Sequence, residues 1–141
     1  MKINFLVIVY LSSFFWFELF AGEIRILVSN IEEKIGTIHY GVYNNPKLFP
    51  DERGKILGGF EEVSRVIKEG LLIDDLEESN YAIAIFHDKN SNNKFDTFFS
   101  IPKEKFGFSK NARVFLSPPK FEDASFFVGQ NSTVEIMIEL R

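Results

Sequence analysis

Asp88, Asn90, Asn92 and Asp96 set oxygen-bearing side chains at relative positions 1, 3, 5 and 9 of one polar run, with Lys94 at position 7. A loop folded around Ca²⁺ needs this spacing, because alternate side chains turn inward and the position-7 carbonyl adds a further oxygen. The candidate metal set is therefore Asp88, Asn90, Asn92, the Lys94 carbonyl and Asp96. Position 12 is Phe99, so the bidentate Glu of an EF-hand is missing and only two carboxylates remain. That charge count predicts weak binding, with dissociation constants of roughly 10⁻⁴–10⁻³ M. Glu104, Glu122 and Asp123 are the acids able to complete the set. The competing reading is a metal-free loop whose Asp and Asn side chains accept backbone N–H groups as Asx-turns. Lys89 and Lys94 inside the run favour caution toward the ion, and both readings stay open.

His87 precedes this run and could serve as a base or a metal ligand. The other histidine, His39, lies in a different strand, and the chain has no Cys for a zinc set. A Ser109, His87, Asp123 triad can be written on paper, and it would make the protein a hydrolase centred on His87. No nucleophile-turn signature supports it. The expectation for His87 is a partly buried side chain hydrogen-bonded to the Phe-rich segment that follows. Phe95, Phe98, Phe99, Phe106, Phe108, Phe115, Phe121, Phe126 and Phe127 crowd that segment. Phe lacks the polar tip that stacking platforms use, so these rings are expected to pack the core of an irregular cap.

The elements that must position these residues are strands. Ile24, Ile26 and Val28 alternate with Glu23 and Arg25, and Ile38, Tyr40 and Val42 alternate with Thr37, His39 and Gly41. Pro46, Pro50, Gly54, Gly58 and Gly59 predict a long loop over 44–59. Further strands are expected over 61–68, 71–75, 81–86, 126–128 and 133–140, the one at 81–86 apolar on both faces as a central strand should be. About seven short strands in roughly 120 residues predict an all-β fold, an antiparallel β-sandwich with a long irregular Phe-rich segment. A small outer-membrane barrel would need more regular strands of about 9–11 residues.

The chain starts with Met1-Lys2 and a dense apolar run from Ile3 to Phe17, then offers Ala21-Gly22 as a small-residue cleavage point. Residues 1–21 therefore read as a secretory signal peptide, and 22–141 as one domain. An uncleaved anchor is the alternative, although Glu18 interrupts the run near the lower limit for a bilayer span. The expected location is periplasmic or at the cell surface, with no membrane insertion after cleavage. A net charge of −4 argues against nucleic acid as a partner. Without Cys, stability must come from the core, with a bound ion as the one other aid.

Four blocks follow in order: Leu76-Glu77-Glu78-Ser79-Asn80-Tyr81-Ala82; His87-Asp88 with Asn90, Asn92 and Asp96; Ile101-Pro102 with Glu104, Gly107-Phe108-Ser109 and Asn111-Ala112; and Phe121-Glu122-Asp123-Ala124. Together they resemble the bacterial exported family catalogued as domain of unknown function 2141, over about Glu23 to Leu140. The resemblance implies a sandwich like transthyretin-type or immunoglobulin-like extracellular modules, and implies no enzyme chemistry. Two positions depart from the pattern. Asn80 and Asn93 stand where the family has Gly, and Asn is the next-best residue for a left-handed turn. The expected function is an exported, non-enzymatic β-sandwich with a candidate Ca²⁺ loop at 88–96. The alternative is a metal-free interaction module whose partner is an envelope or surface protein, docked by the 95–125 region or an edge strand.

Overall fold

The computed structural model describes residues 21–141, so the expected signal peptide lies outside the described residues except for Ala21. In chain order the elements are β1 (Gly22–Ser29), β2 (Thr37–Tyr43), β3 (Lys55–Glu62), α1 (Val63–Glu69), β4 (Leu71–Leu76) and β5 (Ser79–Asp88). They continue with β6 (Thr97–Phe98), β7 (Ile101–Pro102), β8 (Phe106–Phe108), α2 (Phe121–Ala124), β9 (Phe126–Val128) and β10 (Thr133–Glu139). Among the described residues no helix is long and apolar enough to cross a membrane.

The fold is the expected all-β, sandwich-like one. One sheet has the order β10-β1-β4, and the other has β3-β2-β5-β8, with β9 paired to the start of β5. The pairing is antiparallel with one exception: β10 lies parallel to β1, joining the two ends of the domain. Alternation explains how the layers meet. Ile24 and Ile26 of β1, Ile38 and Val42 of β2, Ile83 and Ile85 of β5 and Ile138 of β10 all turn into one buried cluster. Each such side chain contributes about 1.5–3 kcal/mol by leaving water. The 81–86 segment is the expected central strand, flanked by β2 on one side and by β8 and β9 on the other.

Three local expectations are corrected. The strand expected at 61–68 lies earlier, as β3, and 63–69 is the helix α1. Gly58 and Gly59 suggest a loop, yet both are strand residues, Gly58 under the Lys55 stem of the same strand and Gly59 under Tyr40 of β2. A Cβ on Gly59 would stand 2.7 Å from the Tyr40 hydroxyl. The helix buries Val63 and Val66, three residues apart, and β-branched content disguised that spacing as a strand. Gly70, at φ 74°, ends the helix with its N–H on the Val66 carbonyl. Asn80 is not a left-handed turn residue. It sits within β5 opposite Phe127, and Asp75, at φ 55°, has the left-handed backbone instead.

The Phe-rich segment departs most from expectation. Phe108 and Phe121 join Tyr43, Ala82 and Ala124 in a second buried cluster on the outer face of the five-stranded sheet, with Phe49 and Phe106 against it. Phe98, Phe99, Phe115 and Phe127 instead face solvent. The two-stranded β6-β7 hairpin holds Phe98 and Phe99 away from the core: Phe99 and Ser100, both with positive φ, form its tip. The segment is thus half cap and half exposed apolar rim.

Candidate functional site

The loop after β5 is built on Asp88, the fully buried last residue of that strand. One carboxylate oxygen accepts the Asn92 N–H at 3.2 Å and the other accepts the Asn93 N–H at 2.7 Å. Asn90 Oδ1 also accepts the Asn92 N–H, at 3.1 Å, and Asn92 Oδ1 accepts the Lys94 N–H, at 2.8 Å. Asn93 does take the left-handed backbone, at φ 61°. The side-chain amides of Asn90 and Asn92 donate to Asp96 at 2.8 and 3.0 Å. These amides hold the Asp96 carboxyl below the usual carboxylate range.

Glu104 closes the network from the far side of the loop. Its carboxylate accepts the Asp96 N–H at 3.0 Å and the Lys89 N–H at 3.3 Å. Burial pushes its pKa up, the two N–H groups work against that, and the charges of Asp88 and Asp96 add to the rise. The predicted loop residues therefore gather into one network, Asp88, Asn90, Asn92 and Asp96 by side chain and Lys94 by its backbone. Glu104 joins them, while Glu122 and Asp123 lie on α2. Among the described residues no three His, Cys, Asp or Glu side chains form a metal-holding group. Any cation here would rely on Asn and backbone oxygens as well.

His87 points into the inter-sheet core, 1% exposed. Its Nε2 lies 2.7 Å from the Ile35 carbonyl, which requires that nitrogen to carry the proton and leaves buried Nδ1 without a partner. The expected bond to the Phe-rich segment is absent from the ring. The segment instead meets the His87 backbone, whose N–H donates to the Lys105 carbonyl at 2.8 Å. Ser109 is committed elsewhere: its Oγ accepts the Ile83 N–H at 2.9 Å and donates to the Ala124 carbonyl at 2.6 Å. The paper triad is not assembled.

His39 is the histidine that touches the loop. Its Nε2 lies 3.3 Å from the Asp88 carboxylate and 3.1 Å from the Thr37 hydroxyl. The ring stacks between Phe60 and Phe86, at 5.0 and 4.7 Å. Burial there pushes its pKa down, and the Asp88 charge offsets only part of the fall.

That stack belongs to a pattern on the outer face of the five-stranded sheet. Strand register puts Phe60, His39, Phe86 and Phe106 in one row across β3, β2, β5 and β8. The row two residues along reads Gly58, Gly41, Ala84, Phe108. A ridge of rings thus stands beside a row whose two glycines lie under the Lys55 stem and the Tyr43 ring and whose Ala84 stays partly open. Phe95, from the Asp/Asn loop, bridges Phe86 and Phe106 at 5.3 and 5.6 Å. The result is a cleft of about 550 Å³, floored by Gly41 and Ala84 and walled by Tyr43, Phe86, Phe95, Phe106 and Phe108. The segment 114–118 closes its other side. Lys55 and Glu52 form an ion pair at one end. Solvent-facing Phe99, Phe115 and Leu116, 86%, 81% and 96% exposed, extend the apolar surface around it.

Sequence reasoning missed this cleft. The signal lay in Gly41 and Ala84, small residues on strands flanked by aromatics, but only the β2-β5 register aligns them. The volume and lining fall in the range of small-molecule sites, roughly 300–1,000 Å³.

Comparison with known proteins gives one match. A family model described as "Uncharacterized protein conserved in bacteria (DUF2141)" covers residues 26–136. No curated protein and no solved structure matches the chain.

Proposed function

The chain belongs to the bacterial family DUF2141, and from that premise we propose that it is an exported, non-enzymatic binding module that receives an apolar ligand in the cleft on its outer sheet face. One observation carries the reading: an open apolar concavity stands where strand register places Gly41 beside Ala84, next to a ridge of rings. Large exposed apolar surfaces mark interaction sites in soluble proteins. Export is supported by the Met1-Lys2 start, the apolar run and the Ala21-Gly22 step. The engaged states of His87 and Ser109 favour binding over hydrolysis.

Nile red titration tests the cleft. Its fluorescence should rise with wild-type protein and fall several-fold with Leu116→Asp, a change at a fully solvated position that puts a charge on the cleft wall. Equal fluorescence from both proteins would refute the cleft as the recognition site. Intact-mass measurement of protein recovered from the envelope fraction tests export. A chain beginning at Gly22 is expected, and a chain retaining residues 1–21 would contradict cleavage.

A second reading is favoured by the loop itself. Asp88 and Glu104 are buried carboxylates, and burial first, then the charges of Asp88 and Asp96, push the Glu104 pKa upward. A cation bound by Asp88, Asn90, Asn92, the Lys94 carbonyl, Asp96 and Glu104 would relieve that repulsion. Oxygen donors of this kind suit Ca²⁺. The ion's role would be structural, fixing the loop that carries Phe95. Millimolar Ca²⁺ should then raise the melting midpoint, since a ligand that binds only the folded state stabilises it. The rise should vanish in Asp96→Asn, and an equal rise in that variant would contradict the site.

A further inference from the structure

We propose that the ligand of the cleft is a free single-chain amphiphile, a long-chain carboxylate, with its alkyl chain over Ala84 against the Phe86, Phe95 and Phe106 rings and its carboxylate on the Lys55 ammonium. The proposal rests on the reading of the cleft as the recognition site and names the chemistry it takes. Shape is the first argument. The open floor is Ala84, set beside Gly41 by register and bordered by the ring-bearing row of Phe86 and Phe106. A Cβ on Gly41 would stand 3.0 Å from both the Lys55 stem and the Tyr43 ring, so these two side chains cover Gly41 and form one end of the trough, which opens at Ala84. The N–H groups of these strands are engaged in sheet pairing. Such a floor offers contact to methylene groups.

Charge is the second argument. The lining holds one cation, Lys55, and one anion, Glu52, paired to each other. Their situations differ. The Lys55 stem lies over Gly41 and Gly58, and its side chain is 31% exposed, whereas the Glu52 side chain is 77% exposed. A ligand carboxylate can displace Glu52 into water at small cost, because such exposed pairs contribute little. A cationic ligand would have to pair with Glu52 beside the Lys55 ammonium, a like charge that repels it. The site therefore selects a negative head on an apolar body.

Calorimetric titration of the full mature domain with monomeric decanoate, decanol and decyltrimethylammonium tests this. Decanoate should bind at least about ten-fold more tightly than the other two, as a charge-assisted hydrogen bond provides. In Lys55→Gln the preference should vanish, decanoate and decanol binding that variant equally. Equal affinities for decanoate and decanol in the wild type, both lowered in Leu116→Asp, would overturn the carboxylate and keep the cleft. Tightest binding of decyltrimethylammonium would overturn it likewise, as would binding to phosphatidylglycerol vesicles without binding to monomeric decanoate. If none of the three binds and vesicles do not either, the cleft reading itself fails.

Discussion

The two faces of β5 are built from neighbouring residues and behave differently. Its inner side chains, Tyr81, Ile83, Ile85 and His87, are sealed between two sheets. Its outer ones, Ala82, Ala84 and Phe86, meet a cover that is complete at one end and open at the other. Ala82 lies in the second cluster with Phe121 and Ala124, while Ala84 floors the cleft. The inner face uses large aliphatic side chains that interdigitate. The outer face uses small residues beside rings, which cannot fill the space between them. One face thus carries the stability and the other is free to carry recognition.

The largest effect that could break this contrast is on the inner face. Ile83→Ala should cost about 2–5 kcal/mol in chemical denaturation, whereas Ala84→Gly, one residue along on the outer face, should cost about 0.5–1 kcal/mol. Comparable losses would mean that both faces are load-sharing cores. Next is Ser109, which pins β8 and α2 onto β5 through its buried hydroxyl. Ser109→Ala leaves the Ile83 N–H and the Ala124 carbonyl without that partner and should cost about 1–3 kcal/mol. A neutral result would mean that the cover is not anchored there.

A smaller effect comes from pH. His39 is half-buried within the ring row, and its folded pKa lies below the ordinary 6.5. Its contribution is therefore fully present above that value and is lost as pH falls through the folded pKa. Glu104, raised in the folded state, works in the opposite sense: its contribution is present at low pH and is lost as pH rises through its folded pKa. Below about pH 6.5 the wild-type melting midpoint should fall more steeply than that of His39→Gln, which lacks the titrating ring. An unchanged slope would remove His39 as its source. Smallest of all is Leu116→Asp, which should alter stability by no more than about 0.5 kcal/mol. A large loss would show that the rim is structural.

Much of the inner face was legible in the sequence. Alternation marked β1, β2 and β10, and the two-sided apolar run marked β5 as central. The Asp/Asn spacing pointed to a closed loop network, with Glu104 among the acids named to complete it. What escaped depends on pairs of strands. Gly59 read as a breaker because its reason, the Tyr40 ring folded over it from β2, lies elsewhere in the chain. The cleft escaped for the same cause: Gly41 and Ala84 are unremarkable until the β2-β5 register sets them side by side. The exposed Phe residues misled because composition counts rings without showing which ones a two-residue hairpin holds in solvent.

The claim that one face of β5 is sealed and the other receives a ligand can be measured by methyl-resolved NMR during titration with decanol. The account predicts shift changes at Ala84, Val114 and Leu116 and none at Ile38, Ile83 or Ile138. Changes spread equally over both groups, or confined to the inner aliphatic residues, would contradict it.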